Sequence, residues 1–345
     1  MIPEKFGCYL VEKDAEGRIE ARIAQRRLDE LPPGDVLLRV AYSSLNYKDA
    51  LAATGHPGVN RVFPHVPGVD AAGIVAASIA PEWAEGAQAL VTGFQMGANR
   101  WGGFAEYVRV PKDWLVPLPP GLTLQESMIL GSAGFTAALG VETLQRHGVL
   151  PDRGEVVVTG ASGGVGSVAV ALLAKLGYQV AAVTGKPEAH ELLRKLGAHR
   201  ILSRQEVDDR SEKPLLSQRW AGAIDSVGGN ILTTILRATR YGGCVAACGL
   251  TAGNQVSMTV YPFILRAITL TGLDASECPL PVRHEMWRRL AGPWKPDTLG
   301  LIGRTVRLED LPACINDILA ARITGRVAVD LTSPAPRSRP PQEAS

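Results

Sequence analysis

Near its middle the chain reads Glu155-Val156-Val157-Val158-Thr159-Gly160-Ala161-Ser162-Gly163-Gly164-Val165-Gly166. The three valines predict a buried strand, and the apolar pattern from Val168 to Leu176 predicts a helix that ends at Gly177. Between them, Gly160, Gly163 and Gly166 have the spacing G-x-x-G-x-x-G, which lets a backbone turn tightly and approach a pyrophosphate closely. The helix would direct its N-terminal N–H groups at that anion. The segment therefore predicts a dinucleotide-binding site.

The next predicted strand, Gln179 to Val183, indicates which dinucleotide binds. An NAD site places an acidic residue about 20 residues beyond the glycines to accept from the ribose 2′-hydroxyl, whereas this chain continues with Thr184-Gly185-Lys186. These residues offer a hydroxyl, an amide and an ammonium group, all of which can donate to a 2′-phosphate. Arg204 follows the next short strand and would add a second cation. The pattern favours NADPH over NADH, and the alternative is that both cations are ordinary solvated surface residues.

The overall composition is typical of a globular enzyme. The chain has 345 residues, 46% hydrophobic and 20% charged, with a net charge of +2 that gives no indication of nucleic acid or an anionic membrane as partner. The five cysteines are dispersed and odd in number, which suits a reducing cytosol. The N-terminus lacks the pattern of a signal peptide, and no apolar run looks long enough to span a bilayer. A cytoplasmic protein is expected.

The character of the chain changes along its length, and its length alone favours two domains. Short strands separated by proline and glycine turns predict an irregular β domain up to about Gly121. Strands and helices then alternate as far as about Leu273, which predicts an α/β domain with a doubly wound parallel sheet. We expect a catalytic domain at residues 1–122 and 275–332, a nucleotide-binding domain at 123–274, and a disordered tail at 333–345.

Several longer segments carry a resemblance to a known family. They read Ser43-Ser44-Leu45-Asn46-Tyr47-Lys48-Asp49-Ala50, Phe63-Pro64-His65-Val66-Pro67-Gly68-Val69-Asp70, Trp101-Gly102-Gly103-Phe104-Ala105-Glu106, Gly134-Phe135-Thr136-Ala137 and Tyr241-Gly242-Gly243-Cys244-Val245-Ala246-Ala247-Cys248-Gly249-Leu250. On these segments the chain resembles the medium-chain dehydrogenase/reductase superfamily, and within it the zinc-free, NADPH-dependent acrylyl-CoA reductases, also described as quinone oxidoreductase-like. The resemblance covers about Tyr9 to Leu331. It implies a GroES-like catalytic domain and a Rossmann domain that binds NADPH.

The resemblance also implies which residues contact the cofactor. By similarity, these are Tyr47, Ser162, Gly163, Gly164, Val165, Thr184, Gly185, Lys186, Arg204, Leu250 and Ser276. Leu250 follows the predicted strand Cys244 to Cys248, which places it at the carboxyl edge of the sheet, where cofactors lie in such folds. The family likeness further suggests a homodimer joined through the strand Ile268 to Leu273.

No metal is expected in the active site. Alcohol dehydrogenases of this superfamily place a cysteine where Asn46 stands and a histidine within the turn Pro67-Gly68-Val69-Asp70, and both ligands are missing. No cysteine pair with two intervening residues is present to start a tetrahedral zinc site, and Cys244 and Cys248, four apart on a predicted strand, are better explained as buried packing. His56 and His65 are better explained as ordinary loop or surface histidines. Alcohol oxidation with a zinc Lewis acid is therefore disfavoured.

Without a metal, hydride transfer requires a substrate that is already electrophilic, such as a C=C bond conjugated to a thioester. In the resembling family the segment Asn46 to Asp49 faces the nicotinamide. The Asn46 amide is expected to orient or polarise the substrate, the Tyr47 hydroxyl to contact the nicotinamide end or relay a proton, and Asp49 to hold the local network. The alternative stays open that Asn46 and Asp49 only close a turn and Tyr47 only packs.

The preferred hypothesis is an NADPH-dependent enoyl thioester reductase that acts on acrylyl-CoA. A reductase of quinones or free enones needs the same hydride geometry and is the first alternative. A protein that binds NADPH without catalysing a reaction is the second alternative, because an intact nucleotide site would look the same in the sequence.

Overall fold

The computed structural model describes residues 2–332, which form two compact units. Unit 1 contains the chain up to Ser132, Arg304–Ile323 and the described residues from Val327 onward, and unit 2 contains Ala133–Gly303 and Thr324–Arg326. Residues 275–303, assigned above to the catalytic domain, lie in unit 2. The domain boundaries drawn from the sequence stay a prediction, and the tail at 333–345 lies outside the described residues.

Strands dominate the first part of the chain. They are β1 (Lys5–Lys13), β2 (Ile19–Arg27), β3 (Val36–Leu45), β4 (Asp70–Ser78), β5 (Gln88–Thr92), β6 (Tyr107–Val110) and β7 (Val116–Pro117), with helix α1 (Tyr47–Ala53) after β3 and helix α2 (Leu124–Arg146) after β7. β1 and β2 form an antiparallel hairpin. β3 is the centre of the larger sheet, where it pairs antiparallel with β4 and β6.

Strands and helices alternate in the second part. They are β8 (Val156–Val158), α3 (Gly164–Lys175), β9 (Val180–Val183), α4 (His190–Lys195), β10 (Arg200–Leu202), β11 (Trp220–Asp225), α5 (Gly229–Ala238), β12 (Thr239–Ala247), α6 (Tyr261–Arg266), β13 (Thr269–Gly272), α7 (Leu280–Ala291) and α8 (Leu299–Ile302). The six strands form one parallel sheet in the order β10-β9-β8-β11-β12-β13. Counted from β8, this is the Rossmann order 3-2-1-4-5-6.

The end of the described chain returns to unit 1. It contains β14 (Gly303–Arg307), α9 (Leu311–Leu319) and β15 (Arg326–Asp330). β15 pairs antiparallel with β3, which gives the larger sheet the order β14-β15-β3-β4-β5-β7 with β6 added beside β3. The predicted fold class, an irregular β domain with a parallel-sheet nucleotide-binding domain, is confirmed.

Several elements were not predicted from the sequence, among them the β1–β2 hairpin and helix α1. The alternation of Ile19, Ala21 and Ile23 with polar residues in β2 was an available strand signal. Helix α1 has only seven residues, too few for a periodic apolar pattern to be distinctive. This matters for function because Asn46 is the residue that precedes the helix and Tyr47 is its first residue.

One described helix, α2, is long and apolar enough to cross a membrane by length and composition, so the expectation that no run reaches that length is wrong. However, 78% of its most apolar window is buried inside the folded chain, as in a core helix. Gly131 also has non-helical backbone angles (φ 52°, ψ −157°), which interrupts the helix within its first turns. Both features are typical of a helix that packs in a protein core.

Candidate active site

The glycine turn lies between β8 and α3 in unit 2. Gly160 adopts a positive φ of 57°, which favours glycine. A Cβ at Gly166 would lie only 2.3 Å from the carbonyl oxygen of Gly160, so α3 packs directly on the turn because residue 166 has no side chain. Helix α3 begins at Gly164, and the N–H groups of its first turn have no partners within the helix. The turn is therefore shaped to receive an anion close to the backbone.

Ser162 and Thr184 connect this turn to the end of β9. Their hydroxyl oxygens lie 2.9 Å apart, and both side chains are buried. The backbone N–H of Lys186 donates to the Thr184 hydroxyl at 3.1 Å. The sequence placed Thr184 as a direct donor to phosphate; in this arrangement its hydroxyl also holds the start of the Gly185-Lys186 loop.

Both cations expected at a 2′-phosphate lie at the loop Thr184-Gly185-Lys186. A Cβ at Gly185 would lie 2.6 Å from Nε of Arg204, so the guanidinium group lies against the Gly185 backbone. Burial and the positive charge of Arg204 lower the pKa of Lys186, and Glu188 opposes this shift. A bound anion would relieve the repulsion between the two cations. The groups present at this loop thus fit the phosphorylated ribose of NADPH.

The other predicted cofactor residues of unit 2 occupy separate places. Val165 is the second residue of α3, and Leu250 lies three residues beyond the end of β12 with its side chain 65% exposed. Ser276 is partly buried in the turn before α7, where its N–H donates to the Asp274 carboxylate at 2.8 Å. Its carbonyl oxygen accepts from the buried Arg283 at 3.1 Å. No described contact joins Ser276 to the glycine turn.

In unit 1, Asn46 lies between two fully buried carboxyl groups, those of Asp49 and Asp70. Its side-chain N–H₂ group donates to Oδ2 of Asp70 at 2.8 Å and to Oδ2 of Asp49 at 3.2 Å. Its backbone N–H also donates to Oδ2 of Asp49 at 2.8 Å, which completes a capping box at the start of α1. The amide donors of Asn46 are thus directed at protein carboxylates.

Asp49 has hydrogen bonds on both oxygens, because its Oδ1 accepts the Val69 N–H at 2.8 Å. Burial, followed by the negative charge of Asp70, raises the pKa of Asp49 to about 7, against hydrogen bonds from Asn46 and Val69 that lower it. Its charge therefore changes near neutral pH. The Asp49 carboxyl group has no exposed surface. Its hydrogen bonds hold the network around Asn46.

Asp70 was overlooked as a site residue. It accepts from the Ser44 hydroxyl at 2.5 Å, from Asn46, and from both the hydroxyl (2.5 Å) and the N–H (2.9 Å) of Ser132. Such a number of donors matches the acceptor capacity of a carboxylate. The available signal was an acidic residue at the start of the apolar run Asp70-Ala71-Ala72-Gly73-Ile74-Val75, because a charge within a buried strand needs partners.

Tyr47 differs from its two neighbours in the predicted catalytic set. It is the first residue of α1, and its side chain is 48% exposed. Because Asn46 and Asp49 form the cap of the same helix, they fix the position from which the phenol projects. The structure therefore groups the three residues at one helix start, with Tyr47 as the accessible member.

The two histidines have different environments. His56 is exposed and accepts the Gly58 N–H at 3.1 Å, as expected of a loop residue. The expectation of a surface or loop role is wrong for His65, which is buried and bonds through Nε2 to the carbonyl oxygen of Gly97 at 3.0 Å. Burial lowers its pKa to about 4, so it is a neutral core residue. Within residues 2–332, no group of three or more His, Cys, Asp and Glu side chains could hold a metal ion.

The fold and these sites define a class of protein. A Rossmann sheet with a glycine turn and paired cations, joined in one chain to an antiparallel β unit, is the arrangement of a medium-chain dehydrogenase/reductase. Two family models match the chain, "Alcohol dehydrogenase GroES-like domain" at residues 32–120 and "Zinc-binding dehydrogenase" at residues 164–291.

Relatives and solved structures narrow the family. Acrylyl-CoA reductase AcuI of Ruegeria pomeroyi is 44% identical over 95% of this chain and 100% of its own length. The yhdH oxidoreductase of Salmonella enterica, solved in complex with NADP, is 48% identical with a TM-score of 0.91 and covers 94% of this chain and 99% of its own. Protein yhfP of Bacillus subtilis, solved with NAD bound, is 46% identical with a TM-score of 0.93, and the match covers 95% of this chain and 100% of the yhfP chain. The chain therefore belongs to the acrylyl-CoA reductase and quinone oxidoreductase-like group of medium-chain dehydrogenase/reductases.

Proposed function

We propose that this protein uses NADPH to reduce the activated C=C bond of an enoyl thioester, and that its substrate is acrylyl-CoA, which becomes propionyl-CoA. The observation that carries the proposal is the loop Thr184-Gly185-Lys186 with the guanidinium of Arg204 against Gly185. This loop offers two cations and no carboxylate to a ribose 2′-phosphate. It occurs in a chain 44% identical to an acrylyl-CoA reductase.

The reaction needs a hydride acceptor, a site for developing negative charge and a proton. Bound NADPH would supply the hydride to the β-carbon of the enoyl thioester. Charge then accumulates on the thioester oxygen as the π bond shifts, and a proton added to the α-carbon completes the reduction. The protein must therefore orient the thioester, provide a donor for its oxygen and deliver one proton.

We assign these tasks to Asn46, Tyr47 and Asp49. Tyr47 is the accessible member, so its hydroxyl would contact the nicotinamide end of bound NADPH or relay the proton. The amide donors of Asn46 are directed at Asp49 and Asp70, so Asn46 orients the substrate site chiefly by fixing the start of α1. Asp49 holds that amide in place. The proposed reaction uses no metal ion.

The direct experiment is a substrate panel for the purified protein. We expect the kcat/KM for NADPH oxidation to be higher with acrylyl-CoA than with quinones or free enones. The loss of absorbance of the reduced cofactor measures the rate. The Bacillus subtilis relative carries the words quinone oxidoreductase in its name, so faster turnover of quinones would establish the first alternative. Tight NADPH binding without turnover of any compound would establish the non-catalytic alternative.

A substitution at Tyr47 tests the assignment of roles. Tyr47→Phe is expected to lower kcat at least about tenfold, because proton transfer or hydrogen bonding by the phenol is lost. The matched control is Tyr241→Phe, which removes the hydroxyl of another exposed tyrosine in unit 2 and should leave kcat unchanged. Equal kcat values for Tyr47→Phe and the wild type would remove Tyr47 from the mechanism.

We further propose a cytoplasmic homodimer that forms through strand β13. This strand ends the six-stranded sheet, and its outer edge has no partner strand in the described chain. Beside it, Val260, Tyr261, Ile264 and Leu265 expose large apolar side chains in and next to helix α6. An unpaired edge flanked by apolar surface favours association with a second copy.

Light scattering tests the homodimer. Ile264, whose side chain is 67% exposed, is replaced by aspartate, and we expect the mass to fall from two chains to one because a charge would be buried without a partner. Leu301→Asp, at an exposed position of α8, is the control and should remain dimeric. A wild-type protein with the mass of one chain would contradict the proposal.

A further inference from the structure

A fully buried carboxyl group, that of Asp225, lies at the carboxyl end of β11 and is absent from the residues assigned to the cofactor. It accepts the hydroxyl of Thr159 on Oδ1 at 2.6 Å and the N–H of Gly228 on Oδ2 at 2.8 Å. Burial raises its pKa, and these hydrogen bonds oppose the shift. Because burying a carboxyl group costs free energy, a sheet has no need of one at this position unless it organises its neighbours.

The first neighbour is the glycine turn. Thr159 immediately precedes Gly160, and its hydroxyl oxygen also accepts the Ser226 N–H at 3.0 Å. The Ser226 hydroxyl in turn donates to the carbonyl oxygen of Thr159 at 3.0 Å. A Cβ at Gly160 would lie 2.5 Å from the oxygen of that hydroxyl. The beginning of the glycine turn is thus held against the segment Asp225-Ser226 through the hydroxyls of Thr159 and Ser226.

The second neighbour is the loop that carries Leu250. Gly228, whose N–H donates to Asp225, has a positive φ of 72°. A Cβ at Gly228 would lie 3.1 Å from the Cα of Leu250. The carbonyl oxygen of Val227 accepts the Ala252 N–H at 2.8 Å, and the carbonyl oxygen of Asp225 accepts the Cys248 N–H at 2.8 Å. The same short turn therefore supports both loops that carry proposed nucleotide contacts.

We propose that Asp225 is a positioning residue for the dinucleotide: through Thr159 and Gly228 it sets the relative placement of the glycine turn and the Leu250 loop. It does not contact the cofactor itself, because its carboxyl group is fully buried. The inference rests on the proposed function, since it concerns the binding of NADPH.

The test separates positioning from general stability by measuring the Kd for NADPH and the Tm of the same variants. Thr159→Val removes the shared hydroxyl while keeping the shape of the side chain, and it should raise the Kd at least about tenfold through the loss of the hydrogen bond to the Asp225 carboxyl group. Thr159→Ser keeps the hydroxyl and should restore the wild-type Kd. Asp225→Asn turns an N–H₂ group toward one of the two donors and should weaken NADPH binding at least as much.

The control is Thr239→Val, which removes another fully buried threonine hydroxyl in unit 2, bonded to the carbonyl oxygen of Ile235 at 2.7 Å. Thr239 is the first residue of β12, so it lies at the amino ends of the parallel strands, whereas the glycine turn follows the carboxyl end of β8. The Thr239→Val variant should lower the Tm without changing the Kd. A Thr159→Val variant that lowers the Tm and keeps the wild-type Kd would overturn the inference while the proposed function stands. A wild-type protein that binds no NADPH would overturn both.

Discussion

Gly166→Ala is expected to abolish productive binding of NADPH. The new Cβ would lie 2.3 Å from the carbonyl oxygen of Gly160 and 2.6 Å from the Cα of Ala161. Both are backbone atoms of the turn that would contact the pyrophosphate, so α3 must move away from the turn. Losing two charge-assisted hydrogen bonds to the pyrophosphate, at about 1.5 kcal/mol each, corresponds to about a hundredfold in affinity, and we expect the Kd for NADPH to rise by at least that factor.

Titration of NADPH by fluorescence measures the loss. Gly300→Ala is the matched control, because Gly300 lies in a helix of the same unit with nothing within 4 Å of its added Cβ. It should bind NADPH as the wild type does. If Gly166→Ala also keeps the wild-type Kd, the pyrophosphate does not lie on this turn.

Replacing both Lys186 and Arg204 by alanine is expected to remove the preference for NADPH over NADH. Each cation can form a charge-assisted hydrogen bond to the 2′-phosphate, and two such bonds correspond to about a hundredfold or more in affinity. The KM for NADPH should therefore rise by at least that factor. The KM for NADH should stay nearly constant, because NADH has no phosphate at that position.

Lys195→Ala is the control for a general loss of positive charge. Lys195 is an exposed cation of the same unit, paired with Glu191 on α4, and its removal should leave both KM values unchanged. A wild-type protein that uses NADH and NADPH equally would contradict the assignment. The relative solved with NAD bound makes this comparison of cofactors especially informative.

The nucleotide site could be predicted from the sequence because the residues that form it lie close together along the chain. A glycine turn between a strand and a helix occupies a dozen consecutive residues, and the loop Thr184-Gly185-Lys186 ends the very next strand. Since parallel strands end at one edge of a sheet, the approach of Arg204 to Gly185 could be predicted from strand order alone. The structure places the two within contact distance.

The hydrogen-bond network around Asn46 was much harder to predict from the sequence. Asp70 is 24 residues from Asn46 and Ser132 is 62 residues from Asp70, yet all three meet by hydrogen bonds. Sequence spacing carries no information on such distant partners. The segment Asn46 to Asp49 was therefore identified through a family resemblance, and its chemistry was described as that of an amide facing substrate.

Short segments of sequence were sufficient to predict the parallel sheet, the glycine turn and the approach of Arg204 to the loop Thr184-Gly185-Lys186. Strand polarity and short-range backbone geometry specify these features. Only the folded chain reveals that the Asn46 amide bonds two buried carboxyl groups, that His65 is a neutral core residue, and that Asp225 joins the glycine turn to the Leu250 loop. These features depend on desolvation and on contacts between remote segments, and burial exists only after the chain has packed.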